Sequence, residues 1–133
     1  MAHFPSPQWA TEFRTAVNAS SEYAEAAKGW EGDILLRIVP DDAAAPTPGI
    51  HLDLAHGACR AATFFEDSRS TVSEFVFEAK SPVWQQLVRQ KLDPVKAVLS
   101  QEVKVRGNFA KAMRFLRASS LLIAAAATVP TEF

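Results

Sequence analysis

The sequence is poor in several residue patterns that mark particular classes of protein. It has one cysteine, Cys59, so no disulfide can form within the chain, which fits a reducing compartment. None of its five glycines falls in a G-x-G-x-x-G or P-loop arrangement, which excludes the common phosphate-binding loops. Residues 118–130 carry no charge, but 13 residues are too few for a membrane-spanning helix, which needs about 20. No secretory signal is visible, and we expect a cytoplasmic protein.

The composition predicts one globular domain over residues 1–133. Hydrophobic residues make up 48% and charged residues 22%, which is enough apolar surface for a core. The charge is unevenly distributed: the segment from Lys80 to Arg117 has a net charge of +7, and the rest of the chain has −8. This asymmetry indicates either a basic face for an anionic partner or two oppositely charged segments that neighbour each other in the fold.

Hydrophobic periodicity predicts nine elements in the order α-β-β-β-β-α-α-β-α. The strands are predicted over residues 33–40, 50–57, 59–67, 71–79 and 103–106. One long helix is predicted over residues 6–29, with Ser6 as its cap and these residues on one face: Trp9, Phe13, Val17, Ala24 and Ala27. The later helices are predicted to begin at Ser81, Asp93 and Asn108, and the last has these residues on one face: Phe109, Ala112, Met113, Leu116, Ser120 and Ile123.

The alternation within the strands predicts a sheet with one apolar and one polar face. Leu36, Leu52, Phe75 and Phe77 are expected to face the helices. The other face, with His51, Asp53, Glu74 and Glu78, is expected to be wet. Short turns between the first four strands predict that they are antiparallel neighbours.

Residues with catalytic or metal-binding chemistry are few and scattered. His51-x-Asp53 places two potential ligands on one face of a strand, but neither common zinc spacing is present, so we expect no metal. His56 and Cys59 could pair for nucleophilic catalysis, although no third group that would orient them is evident. The basic segment lacks the interleaved aromatics of an RNA-recognition strand, so no nucleic acid is expected as a partner.

The predicted helices carry an excess of apolar surface: the two short helices and the last helix each have an apolar face that needs an apolar partner. This surplus is typical of a close-packed core with a buried C-terminal helix, but also of a helix layer separated from the sheet by a tunnel for an apolar ligand. Periodicity alone does not distinguish these two arrangements.

The segment from Lys91 to Met113 resembles the C-terminal half of the sterol carrier protein type-2 family. The family tends to show a Lys-Leu-(Asn/Asp)-Pro start, a helix, an alternating Lys-Leu-Lys-Ile-like strand, a Gly and a Met-containing helix. Here these read "KLDP", "VKAVLSQ", "VKVRG" and "NFAKAM". The earlier "IHLDLAHG" resembles the family's strand and turn, and the order of elements matches from about Trp9 to Met113. Glu102 departs from the family, which often has Gly before the strand.

The resemblance implies an α/β (α+β) domain with a five-stranded, mixed and largely antiparallel sheet, covered mainly on one face by about five helices. It implies an apolar tunnel between the two layers and non-catalytic binding of a sterol, fatty acyl chain or isoprenoid lipid, without cofactors. The residues expected to bind lipid are Phe13, Val17, Leu36, Leu52, Phe75, Phe77, Trp84, Leu87, Val88, Val95, Val98, Leu99, Phe109, Met113 and Leu116.

Several alternatives and partners stay open at this point. Bacterial members of the family resemble accessory proteins that hold a lipophilic intermediate of quinone synthesis. A small enzyme that uses His56 or Cys59 is the alternative from a different class. Dimers occur in the family, so a homodimer is a further expectation to test. Transient contact with anionic membranes is expected through five basic residues: Lys104, Arg106, Lys111, Arg114 and Arg117.

Overall fold

The computed structural model describes residues 1–133 and contains six helices and seven strands. The helices are α1 (Pro7–Asn18), α2 (Ser21–Ala26), α3 (Ser81–Val88), α4 (Pro94–Leu99), α5 (Phe109–Arg114) and α6 (Leu116–Ala127). The strands are β1 (Ala2–His3), β2 (Glu31–Val39), β3 (Gly49–Ala55), β4 (Ala58–Phe65), β5 (Phe75–Lys80), β6 (Lys104–Arg106) and β7 (Thr131–Glu132). β1 and β7 form a separate parallel pair, and the other five strands form the central sheet.

The central sheet has the order β4-β3-β2-β5-β6, which confirms the five-stranded mixed sheet. The pairs β2–β3, β3–β4 and β5–β6 are antiparallel, whereas β2 and β5 are parallel. The expectation that the first four strands are antiparallel neighbours is therefore wrong for β5. Its strand also begins at Phe75 rather than at residue 71, because residues 66–74 are used to cross from β4 at the sheet edge to the far side of β2.

The apolar face of the sheet is the one that the helices cover, as the alternation predicts. Leu52 lies opposite Ile34 in the β2–β3 pair, and Phe77 lies beside Leu36 in the β2–β5 pair. Trp84 of α3 donates a hydrogen bond from its indole nitrogen to the backbone oxygen of Arg37 at 3.0 Å. This bond fixes α3 over the centre of the sheet and leaves the indole ring buried.

The opposite face is polar at one end and covered by a loop at the other. Leu35 points to this side and is fully buried. The expectation that this face is wet is therefore wrong at the end that the loop covers. The covering loop is anchored by Ser68, whose hydroxyl donates to the backbone oxygen of Thr47 at 2.9 Å. A side chain at Gly49 would approach Ser68 to 2.7 Å, so glycine is what lets the loop lie this close to β3.

The first predicted helix is in fact two, because the chain breaks at Ala19 and Ser20. Ser20 has extended backbone angles, and its hydroxyl accepts a hydrogen bond from the N–H of Tyr23, so it caps α2. The break changes the direction of the buried face. Tyr23 is buried in α2, whereas Ala24, which the uninterrupted periodicity had placed on the apolar face, is exposed.

The last predicted helix is also two, and the break lies at Phe115. Asn108 caps α5 as predicted, with its side chain accepting from the N–H of Lys111 at 3.1 Å. Phe115 then leaves the helical geometry and packs edge to face on Trp30, with ring centroids 5.0 Å apart. The break reorients the chain, so that α6 continues along the core while Phe109 of α5 stays 53% exposed.

The predicted caps of the other helices are confirmed in two cases and wrong in one. Ser6 accepts a hydrogen bond from the N–H of Trp9, and Asp93 accepts one from the N–H of Val95. Ser81 is already the first helical residue of α3, and the cap is Lys80, which makes no side-chain capping bond. Of the four predicted caps, three therefore accept a hydrogen bond from a free N–H group in the first turn of their helix: Ser6, Asp93 and Asn108.

Candidate functional site

A largely apolar cavity lies between the sheet and the helices. Fifteen residues line it, and twelve of them are hydrophobic. The sheet contributes one wall, α3 and α4 contribute the second, and α6 contributes the third. The lining residues are Phe13, Leu36, Leu52, Phe77, Trp84, Leu87, Pro94, Val95, Val98, Val103, Leu116, Ser119, Ser120, Leu122 and Ile123.

The free space in this cavity is small. Its volume is about 40 Å³, on a scale where one water molecule needs roughly 10–15 Å³. A long hydrocarbon chain therefore requires the walls to move apart. The chemistry of the walls nevertheless suits such a chain, because apolar side chains surround the space and no charged group faces it.

Nine of the fifteen residues expected to bind lipid line this cavity. They are Phe13, Leu36, Leu52, Phe77, Trp84, Leu87, Val95, Val98 and Leu116. The structure places the other six elsewhere. Val17, Phe75 and Val88 are buried in the surrounding core, and Met113 is partly buried against that core. Leu99 and Phe109 are exposed.

The cavity also has six lining residues that the expected set did not include. They are Pro94, Val103, Ser119, Ser120, Leu122 and Ile123. Ser120 and Ile123 share the predicted apolar face of the last helix with Leu116, and Ser119 lies three residues after Leu116, at the spacing of the same helical face. The two serines were missed because a lipid-binding wall was expected to consist of apolar side chains.

The α4 wall of the cavity is bracketed by two residues in the left-handed backbone region. Gln90 has φ 56° and Gln101 has φ 63°, although both carry a side chain. Each lies just after a helix, where glycine is usual, and the N–H groups around these positions close back on the preceding helix. Between these positions, α4 turns Val95 and Val98 toward the cavity and has its main contacts with α6.

An outer groove lies on the other side of α4, next to the sheet edge. Val98 and Val103 line both this groove and the cavity, so they form the partition between the two. Leu99 is 70% exposed and, together with Phe109, gives the groove an unusually apolar rim. Lys104 and Arg106 of the edge strand β6 add positive charge, and we refer to this surface as the β6 groove.

The polar end of the open sheet face holds ion pairs between neighbouring strands. His51 Nε2 and Asp33 Oδ2 are 2.7 Å apart, and Asp33 also accepts from the N–H of Glu74 at 2.9 Å. Burial opposes ionisation of Asp33, but the hydrogen bonds from His51 and Glu74 outweigh it and lower the pKa of Asp33. Asp53 pairs separately with Arg60. His51 and Asp53 are thus engaged with different partners.

His56 and Cys59, the two residues considered for nucleophilic catalysis, do not interact. His56 lies in the β3–β4 turn with an exposed ring whose Nδ1 is 3.1 Å from the backbone oxygen of Lys28. Cys59 is buried, and its thiol donates to the backbone oxygen of Ala61 at 3.4 Å. Burial raises the pKa of the Cys59 thiol to about 11, which is the opposite of what an activated nucleophile needs.

The basic segment is partly neutralised by acidic residues from the rest of the chain, because four of its nine basic residues form ion pairs. Glu78 accepts from Arg106 and, at 3.3 Å, from Arg37. Three further pairs join basic residues of this segment to acids outside it: Lys80 with Asp41, Lys111 with Glu74, and Arg117 with Glu22. These contacts favour the interpretation that the two oppositely charged segments neighbour each other. The other five basic residues of the segment have no ion pair: Arg89, Lys91, Lys96, Lys104 and Arg114.

None of the six helices combines the length and the apolar character that crossing a membrane would require.

Comparison with known proteins identifies the fold and the family. Residues 12–118 match the model of the SCP-2 sterol transfer family. A crystal structure of sterol carrier protein 2 is 31% identical, with 93% of this chain and 97% of that chain covered and a TM-score of 0.87. A solution structure of a conserved hypothetical protein from Thermus thermophilus is 30% identical, covering 96% of this chain and 90% of that one, with a TM-score of 0.84.

A more distant structure shares the fold alone. It is named UbiJ-SCP2 ubiquinone synthesis protein, and it is 17% identical with a TM-score of 0.52, over 91% of this chain and 89% of that one. No curated protein sequence matches the chain significantly. The family match covers most of the chain, including the central sheet, the cavity-lining helices α3 and α4, and α5. The chain therefore belongs to the SCP-2 sterol transfer family.

Proposed function

We propose that the chain binds the apolar part of one lipid molecule in the cavity between the sheet and the helices, and carries it without covalent chemistry. The observation that supports this most is the lining: twelve of fifteen residues are hydrophobic, and they come from both layers of the domain. Close-packed interiors leave few voids larger than a water molecule, so an enclosed space of about 40 Å³ with this lining is a candidate binding site. Membership of a sterol transfer family supports the same function.

Binding would require α4 to move away from the sheet. The cavity has about 40 Å³ of free space, so it cannot receive a long chain without expansion. Among the walls, α4 is the shortest helix and is flanked by Gln90 and Gln101 in left-handed conformations. Gln90 lies in the connection before this six-residue helix and Gln101 lies just after it, so backbone strain is stored on both sides of α4, which suits a change in its orientation. We infer that α4 is the part of the wall that yields.

The placement of the titratable residues supports binding rather than catalysis. The acidic and histidine side chains on the open sheet face are outside the cavity, which no charged group lines. Cys59 and His56 each have other hydrogen-bond partners, and the thiol is buried with a raised pKa. The arrangement therefore offers an apolar ligand a place to bind, whereas the hydroxyls of Ser119 and Ser120 have no titratable general base beside them in the lining that would activate them.

Displacement of a fluorescent fatty acid from delipidated protein tests this function. Burial of about ten methylenes at roughly 0.8 kcal/mol each contributes on the order of 8 kcal/mol before ordering costs, so we expect saturable binding in the micromolar range. Fatty acids, a sterol and an isoprenoid quinone precursor should be compared as unlabelled competitors. If none of them displaced the probe and the probe itself bound without saturation, lipid binding would be rejected.

The same panel tests the second candidate, an accessory role in quinone synthesis. The UbiJ-SCP2 structure shares this fold, but at 17% identity it supports the architecture only. A protein that holds a quinone intermediate should prefer the prenylated aromatic precursor over a fatty acid of similar length. Apolar walls discriminate such ligands weakly, since one methylene changes the binding free energy by only about 1–3 kcal/mol. A preference of less than tenfold would favour general lipid carriage.

Membrane contact during lipid exchange is proposed at the β6 groove. Leu99 and Phe109 are exposed there, and Lys104 lacks an ion pair. Each basic side chain near an anionic surface contributes about 1 kcal/mol. We expect the double variant Leu99→Ser, Phe109→Ser to lose binding to anionic vesicles at low salt. Val72→Ser is the matched control, because Val72 is 90% exposed but lies outside the groove. Equal loss in both variants would contradict this assignment.

A further inference from the structure

Two hydroxyl groups interrupt the apolar lining of the cavity. Ser119 and Ser120, consecutive residues of α6, have the only hydroxyl-bearing side chains among the fifteen that line it. Consecutive residues of a helix point about 100° apart, so the two hydroxyls meet the cavity from different directions. Neither is required by the helix, because alanine has a higher helix propensity than serine and the same helix uses alanine freely.

These two hydroxyls also lack a partner within the protein. The hydroxyls of Thr11, Thr15 and Thr128 each donate to a backbone oxygen nearby in the same helical segment. Ser119 and Ser120 make no side-chain hydrogen bond, yet neither hydroxyl is among the fully enclosed polar atoms that lack one. They therefore face accessible space with their donor and acceptor capacity unused.

Ser120 stands where the cavity adjoins a second groove between α6 and the α3–α4 connection. Leu87, Pro94, Ser120 and Ile123 line both spaces, so these side chains separate two neighbouring spaces, and Ser120 is the polar one among them. Beyond this junction the lining changes from apolar to polar. The groove adds Gln90, Lys91 and Asp93, and we refer to it as the α3–α4 groove.

The polar groups of the α3–α4 groove include one that only donates, the ammonium of Lys91, and one that only accepts, the carboxylate of Asp93, whereas Gln90 and Ser120 can do either. The carboxylate of Asp93 accepts from the N–H of Val95 as the cap of α4. Lys91 is exposed and has no ion pair, and the amide of Gln90 makes no side-chain hydrogen bond. At this end of the cavity the wall carries two hydroxyls, and an ammonium group lies in the adjoining groove. This order of groups suits a ligand that is apolar at one end and accepts hydrogen bonds at the other.

The β6 groove does not offer the same chemistry at its junction with the cavity. The two residues shared there, Val98 and Val103, are apolar, so a polar group that crossed this partition would lose its hydrogen bonds to water without replacement. The two ends of the cavity therefore differ, and only the α3–α4 end provides hydrogen bonds within the wall itself.

We infer that Ser119 and Ser120 form a head-group subsite, and that the ligand is a single-chain amphiphile whose hydrogen-bond-accepting head leaves the cavity past Lys91. The inference rests on the proposed lipid-binding function and adds the orientation of the ligand to it. The tail lies against Leu36 and Leu52 of the sheet, and the head lies at the α3–α4 end. A long-chain carboxylate has the charge and the acceptors that these donors complement.

Three competitors of equal chain length test the subsite: hexadecanoate, hexadecan-1-ol and hexadecane, each delivered from cyclodextrin to delipidated full-length protein. Wild type should bind hexadecanoate at least tenfold more tightly than hexadecane, with the alcohol between them. The double variant Ser119→Ala, Ser120→Ala should bind hexadecane as well as wild type does but should reduce the preference for both polar ligands to less than threefold. Lys91→Ala should weaken hexadecanoate only, and mainly at low salt.

Matched controls separate the subsite from general effects. Ser100→Ala removes a hydroxyl that donates to the backbone oxygen of Ala97 and does not line the cavity. Lys96→Ala removes an exposed charge of α4 that lines neither the cavity nor the α3–α4 groove. Both should leave the ranking unchanged. A ranking that survives the double serine variant, or equal binding of the three ligands by wild type, would overturn the subsite while lipid binding stands. Failure of all three to displace the probe would overturn the subsite. If the sterol and the quinone precursor also failed and the probe bound without saturation, the proposed function would be overturned as well.

Discussion

Enlarging a side chain that faces only the cavity distinguishes a ligand space from an ordinary packing defect. Val95 is suited to this change, because it lies on α4, lines the cavity and does not contribute to either neighbouring groove. In Val95→Phe, the ring occupies the free space and the volume into which the wall would otherwise expand. Valine and phenylalanine have similar helix propensities, so α4 itself should be little affected.

The expected effects on stability and on binding differ in size. Filling about 40 Å³ at ~24 cal/mol per Å³ contributes about 1 kcal/mol to the stability of the ligand-free protein. Overpacking by the rest of the ring costs roughly 1–3 kcal/mol, so the net loss should be about 2 kcal/mol or less. If the ring excludes three methylenes of the ligand at ~0.8 kcal/mol each, the affinity should fall roughly fiftyfold.

Urea unfolding of the ligand-free protein and displacement of a fluorescent fatty acid measure these two effects separately. Met113→Trp is the matched control, because Met113 is partly buried against the core but does not line the cavity. It should lose about 1–3 kcal/mol of unfolding free energy through overpacking and keep its lipid affinity.

The reasoning would be refuted if Val95→Phe bound the fatty acid as tightly as wild type while folding normally. The ring would then sit in space that the ligand never uses. Loss of affinity in Met113→Trp as large as that in Val95→Phe would also be incompatible with the account, since any enlarged side chain near the core would then impair binding.

Three further predictions concern backbone strain, pH and the thiol. Gln101→Gly should raise the unfolding free energy by up to about 1 kcal/mol, because glycine adopts the left-handed conformation of this position without the strain that a side chain causes. Gln86→Gly, at an exposed position within α3, should instead lower the unfolding free energy by about 1 kcal/mol. Equal changes for the two variants in urea titrations would contradict the presence of backbone strain at Gln101. The lowered pKa of Asp33 contributes stability that is present above its unfolded pKa of about 4 and is lost as the pH falls through its lower folded value. Asp33→Asn should therefore reduce the acid dependence of unfolding below about pH 5, and a variant as acid-sensitive as wild type would count against the His51 hydrogen bond. Cys59, whose pKa is raised to about 11 by burial, should react with a thiol reagent at about pH 8 only after addition of denaturant, and rapid labelling of the native protein would argue against its buried position.

The sheet could be predicted from the sequence because its alternation is local. Ile34, Leu36 and Leu52 repeat at every second position of their strands, and a single apolar face follows from that pattern alone. The parallel position of β5 could not be predicted in the same way. Strand pairing across a connection depends on where the chain crosses the sheet, and the crossing loop is fixed by tertiary contacts such as that of Ser68 with Thr47.

The breaks in the first and last predicted helices were missed because the residues at the breaks, Ala19, Ser20 and Phe115, are neither proline nor glycine. Ser20 can cap a helix, but serine also occurs within helices, so it does not by itself mark a break. At Phe115 the break is stabilised by the contact with Trp30, a residue 85 positions away in the sequence. The consequence for the site is direct: continuous periodicity had placed Phe109 beside the cavity-lining Leu116, whereas the break leaves Phe109 exposed.

Apolar periodicity identified nine cavity-lining residues because a residue that faces a cavity has the same pattern as one that faces a core. For the same reason it also included Val17 and Phe75, which are buried in the core away from the cavity. Ser119 and Ser120 show the opposite failure. Their polarity removed them from a set chosen for hydrophobicity, although their helical spacing places them on the cavity face.

The position of a bound chain relative to the two layers is measured most directly by nuclear Overhauser effects between methyl-labelled protein and unlabelled hexadecanoate. The account predicts contacts from the chain protons to the methyl groups of Leu36, Leu52 and Leu122, which line the cavity, and none to the exposed methyl groups of Val72. Contacts confined to the outer surface around Leu99, with the three cavity leucines silent at saturating ligand, would contradict the claim that the lipid binds between the sheet and the helices.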